Sequence, residues 1–152
     1  MSAALLTECV EQELRLTKRL LELLREEESM LLANQIDALT ACTQSKGKLV
    51  ADFFVLRQRR LTSLAQLGWP AQDASMAPWV EQHADDAVRP LWEALLRELA
   101  VAKELNRTNG LLIHQLSIRN RAALQALQPP DSPRLYGPYD QGVRRSTFAV
   151  RG

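Results

Sequence analysis

The residues best equipped for chemistry in this chain are two histidines, His83 and His114, two cysteines, Cys9 and Cys42, and the cationic run Arg57-Gln58-Arg59-Arg60. None of them falls into a spacing that chemistry requires. His83 and His114 lie on different expected helices. No Glu-x-x-His pairs are present to build the di-iron site of a helical bundle, whose ligands project from facing helices. Cys9 and Cys42 lack metal-ligand spacing and read as reduced, mostly buried small hydrophobes. The Arg57–Arg60 run has the charge to touch phosphates, but on a helix it reads first as a solvated face. A glycine-rich phosphate loop and a nucleophile elbow are both missing from the sequence. The expectation is a non-enzyme with no cofactor and no metal.

A more unusual pattern runs through residues 106–142. Asn106, Asn109 and Asn120 interrupt a helical apolar stripe, and a Pro/Gly-rich segment carrying Leu135-Tyr136-Gly137-Pro138 follows. Asparagine on an apolar seam must find amide partners or stay wet, so it either fixes helix register or marks a surface left open. Both readings stand at this point.

The elements that would position these residues are helical. The hydrophobic fraction is 46% but aromatics are only 5%, with Leu and Ala supplying most of the apolar mass, which favours helix over strand. Residues 5–32 read as one amphipathic helix with the seam Val10, Leu14, Thr17, Leu21, Leu24, Glu28 and Leu31, and Glu26-Glu27-Glu28 as a wet patch. Residues 33–37 read as a turn, with Asn34 capping a second helix that runs to about Leu67. Its seam is Leu39, Cys42, Lys46, Leu49, Phe53, Leu56, Arg60, Leu64 and Leu67. The short turn makes the two helices antiparallel neighbours.

Gly68 and Pro70 stop the second helix. A short helix within residues 75–83 carries Trp79, and Trp69, Trp79 and Trp92 are expected to close one end of the bundle. The last long helix starts near residues 86–90, capped by Asp85 or Asp86 with Pro90 in its first turns. It follows the seam Val88, Trp92, Leu95, Leu99, Ala102, Asn106, Asn109, Ile113, Leu116, Asn120, Ala123 and Leu127, and Pro129-Pro130 end it. The fold class expected is all-α: an antiparallel bundle of three long helices plus a short one, with coiled-coil-like packing, over residues 1–128. Residues 129–152 are expected to be a flexible Pro/Gly-rich tail, mobile or ordered only by lying on something else, because the segment buries too little to offset its ordering entropy.

A net charge of +1 gives no general attraction to nucleic acid or anionic membrane. No signal peptide and no apolar run of membrane-spanning length is visible, so a cytoplasmic protein is expected.

The stretch Leu105-Asn106-Arg107-Thr108-Asn109-Gly110-Leu111-Leu112-Ile113, then Asn120 with Ala123-Leu124-Gln125-Ala126-Leu127, then Leu135-Tyr136-Gly137, resembles the FlgN family of flagellar type III export chaperones. The tail departs from the family pattern by an extra tyrosine, Tyr139, and by the order of Gln141 and Gly142. The resemblance implies a cytosolic chaperone without ATP hydrolysis. Such a protein holds hook-associated (hook–filament junction) proteins by their helical C-terminal segments and delivers them to the export gate. It implies helix-in-groove recognition at a cargo face of Asn106, Asn109, Gly110, Leu111, Leu112, Leu116, Asn120, Leu124 and Leu127, with Tyr136 and Gly137 meeting the gate. The competing readings are a structural coiled-coil adaptor without export cargo, in which these leucines are core, and an RNA- or phosphate-binding helical module using Arg57, Arg59 and Arg60.

Overall fold

Leucines at three- and four-residue spacing make the first helix, α1 (Ser2–Leu32), and decide which of its faces is covered. Leu6, Val10, Leu14, Thr17, Leu21, Leu24 and Leu31 are all buried, one stripe of a single helix. The computed structural model describes residues 2–83 and 87–129. Among these it contains helices and no strands: α1, α2 (Ile36–Gln66), a 3₁₀ turn at Asp73–Ser75, α3 (Met76–Gln82) and α4 (Val88–Leu127). Asp85 and Asp86, the expected caps of α4, lie outside the described residues, as does the chain from residue 130.

Two left-handed residues end the first two helices. Asn34 has φ 57°, and the Gln35 N–H donates to the Met30 carbonyl at 2.9 Å. That bond closes α1 in a Schellman-type stop. Asn34 therefore ends α1 rather than capping α2, whose N-cap is Gln35 with no side-chain bond. The reason is position: only a residue tolerant of positive φ can reverse the chain there. Gly68, at φ 88°, does the same for α2, with the Trp69 N–H on the Leu64 carbonyl at 3.0 Å.

The chain divides into two units, Met1–Ile113 and His114–Gly152. In the first, α1 and α2 form an antiparallel hairpin. The main core gathers Leu6, Val10 and Leu14 of α1, Leu61 and Leu64 of α2, Met76, Trp79 and Val80 of α3, and Val88, Trp92 and Leu95 of α4. Each large side chain fully buried there contributes about 1.5–3 kcal/mol of transfer free energy. Trp79 is 1% exposed and stacks on His83 at 4.2 Å between ring centroids. Trp69 packs against the same core from a half-buried position. A smaller cluster of Leu21, Leu24 and Ala102 continues the core toward the α1–α2 turn. Cys9 and Cys42 are buried and free. Burial raises both thiol pKa values. In the second unit the described residues are the last turns of α4 and the two that follow it.

Candidate partner-binding surface

Two polar clasps cross the apolar interior of the first unit, both anchored on buried glutamates of α1. In the first, Arg60 of α2 donates from Nε to Glu13 Oε2 at 2.6 Å and from Nη2 to Asp73 Oδ1 at 3.0 Å. Its guanidinium carbon sits 5.3 Å from the centroid of the Trp92 ring, a cation–π contact. Arg57 adds a 2.7 Å bond to Asp73 Oδ2. Burial lifts the Glu13 carboxyl pKa, opposed by the bond and charge of Arg60. Asp73 also feels burial, but its bonds from Arg57 and Arg60 outweigh that and hold its pKa below the ordinary value. The Arg57–Arg60 run is thus not the solvated face expected: Arg60 is 3% exposed and Arg57 is engaged with Asp73. Arg59 remains exposed.

In the second clasp, Glu27 of α1 is 1% exposed. Lys46 of α2 donates to its two carboxylate oxygens at 3.1 and 3.0 Å, and Asn109 of α4 donates to Oε1 at 2.9 Å. Asn109 Nδ2 also reaches the Leu24 carbonyl at 2.9 Å, while Lys46 extends to Asn106 Oδ1 at 3.3 Å. This corrects the reading of residues 26–28 as a uniformly wet patch and of Glu28 as the seam position. Glu27 takes the interior place because Lys46 crosses from the α2 seam to meet it, and Glu28 is half-exposed.

The three seam asparagines therefore part company. Asn109 is an interior residue, 1% exposed, with its Oδ1 buried and without a partner among the described residues. Asn106 and Asn120 are exposed. Gly110 does not serve a close helix approach, since an added Cβ would meet nothing within 4 Å.

Asn109 is also the last buried residue described in α4. Beyond it, Leu111 is 50% exposed, Ile113 44%, Ile118 49%, Leu124 52% and Leu127 82%. Leu112 and Leu116 are half-buried. At about 3.6 residues per turn Leu124 and Leu127, with the half-buried Leu116, share one side of the helix, as the stripe of a docking surface does, and Leu111 and Ile118 fall on the other. Tyr136 and Gly137 lie outside the described residues.

A second apolar surface lies on the α1–α2 hairpin, which sequence periodicity did not single out. A groove of about 460 Å³ is lined by Gln12, Arg15, Leu16, Asp52, Val55 and Leu56, and a neighbouring hollow shares Val55. Gln12, Arg15 and Asp52 are the polar residues of its lining.

Among the described residues no helix is long and apolar enough to cross a membrane. No solved structure matches the chain. Two curated relatives do, both named flagella synthesis protein FlgN, from Salmonella typhimurium (strain LT2) and Salmonella typhi. Each is 28% identical over 135 residues, spanning 87% of this chain and 86% of the relative. The model of the FlgN protein family matches residues 1–142, and on that extent the chain belongs to the FlgN family.

Proposed function

We propose that this protein is a cytoplasmic flagellar export chaperone that binds the helical C-terminal segments of hook-associated proteins before type III secretion and delivers them to the export gate. The observation that supports this reading best is the run of exposed apolar side chains along the end of α4, from Leu111 to Leu127. Leu112, Ile113, Leu116, Leu124 and Leu127 fall within roughly 60° of one direction on the helix, the stripe an amphipathic partner needs, while Leu111 and Ile118 lie on the other side. The family and the names of its relatives support the flagellar setting. Within the cargo face, Leu112, Leu116, Leu124 and Leu127 supply apolar anchors, Leu111 lies toward the opposite side of the helix, and Asn106, Gly110 and Asn120 are polar or open edges. Asn109 acts from beneath, holding the helix rather than touching cargo.

The test is co-purification with the C-terminal segment of a hook-associated protein. A complex at micromolar concentration is expected, and Leu116→Ser with Leu124→Ser abolishes it without loss of helicity. Absence of any complex overturns the proposal. An elongated oligomer that buries the same leucines against a second copy would instead favour a structural coiled-coil adaptor. For the gate, Tyr136→Ala is expected to spare cargo binding and weaken export. Loss of cargo binding at normal helicity would move Tyr136 into the cargo site.

A further inference from the structure

The two units carry opposite charge. Residues 114–152 hold six arginines and two aspartates, a net +4, and residues 1–113 hold thirteen cations and sixteen anions, a net −3; together they give the +1 of the whole chain. No Asp or Glu occurs between Glu104 and Asp131. Arg107, the first cation after Glu104, is tied to it at 2.7 Å. Arg119 and Arg121 form no ion pair among the described residues, and both are exposed.

Helical geometry sets where those two charges stand. At 3.6 residues per turn, Leu116, Asn120, Ala123 and Leu124 point within roughly 60° of Leu127. Arg119 stands roughly 80° to one side of that direction and Arg121 roughly 120° to the other. An exposed apolar stripe is therefore flanked on both sides by cations that form no ion pair among the described residues. Flanking charges of this kind select a partner helix by its own flanks, adding to the association rate and to discrimination more than to raw affinity.

We infer that the surface of residues 114–127 takes an amphipathic helix of another protein whose apolar stripe is bordered by aspartate or glutamate. This rests on the cargo-binding reading and adds the partner's charge to it. A nucleic acid would use the arginines but leave Leu116, Leu124 and Leu127 in water. A helix lying on an anionic membrane needs a cationic face opposite its apolar one, and here the opposite side carries Ile118 and Ala122. An acidic amphipathic helix satisfies the stripe and both flanks together.

The test uses the full chain and three probes. These are the C-terminal segment of a hook-associated protein, the same segment with every Asp and Glu changed to Asn or Gln, and phosphatidylglycerol vesicles. The native segment is expected to bind about tenfold more tightly than the neutralised one, with that preference lost as salt rises. Arg119→Glu with Arg121→Glu should abolish the preference while leaving helicity and the weaker apolar binding in place. Equal binding of the two segments overturns the charge inference and leaves the cargo reading standing. Binding of neither segment overturns both. Vesicles bound more tightly than the native segment, or tight binding of a segment with no flanking carboxylate, overturns the choice of partner.

Discussion

Glu13 and Arg60 show how a charge can be kept inside a leucine-rich bundle. Their side chains are 0% and 4% exposed and meet at 2.6 Å. Taking Glu13 away leaves Arg60 buried with only the exposed Asp73 as counterion, so Glu13→Leu is expected to lower stability by about 3–5 kcal/mol. Adding Arg60→Met should restore most of the loss, because two apolar groups of similar size replace a desolvated pair. Urea unfolding of the two single variants and the double variant measures the coupling, and strictly additive losses would contradict it. Asp73, at the exposed end of the same clasp, gives a pH signature. Its pKa in the folded protein lies below the ordinary 3.8 because Arg57 and Arg60 bond to it. Its stabilising contribution is therefore complete above about pH 3.8 and fades as pH falls through the lower folded value. The stability gap between wild type and Asp73→Asn should narrow below pH 3.8. Glu13 works in the opposite sense: its pKa is raised above 4.5 by burial, so its effect is to lower stability as pH rises from 4.5 through the folded value.

The long helix α4 carries three seam asparagines with different duties. Asn109 makes two buried bonds, so Asn109→Ala should cost about 1–3 kcal/mol. Asn106→Ala and Asn120→Ala, at exposed positions, should fall within about 0.5 kcal/mol of wild type. Equal losses at all three would contradict the placement of Asn109 in the Glu27–Lys46 clasp. Much of this element was legible beforehand. Leucine periodicity alone marks the stripe through Val88, Trp92, Leu95 and Ala102, all buried. What periodicity cannot say is which asparagine has a neighbour to bond, since that depends on the helix facing it. The buried Glu13 and Glu27 escaped for a related reason: each sits one position from the leucine or glutamate assigned to the α1 seam. A signal for both did exist. Lys46 and Arg60 fall on the α2 seam, and a cation on a buried stripe demands a carboxylate across from it.

Across the whole chain, α1, α2, α3 and the first part of α4 supply a cored unit in which Glu13 and Glu27 are sequestered in clasps. The second unit contributes apolar and cationic side chains that remain exposed over residues 114–127. The all-helical architecture was legible because leucine, alanine and capping residues settle it locally. The division at Ile113 was not, because the apolar pattern of α4 continues unbroken past Asn109, the last buried residue described in that helix. On the proposed function, this exposed stretch receives a partner helix. Hydrogen exchange on the full chain, with and without a saturating C-terminal segment of a hook-associated protein, tests it most directly. Exchange in residues 112–127 is expected to be fast in the free protein, where the side chains of the helix are half-buried or exposed, and to slow markedly in the complex. Protection confined to the groove around Leu16, Val55 and Leu56, or no change across residues 112–127, would contradict the account.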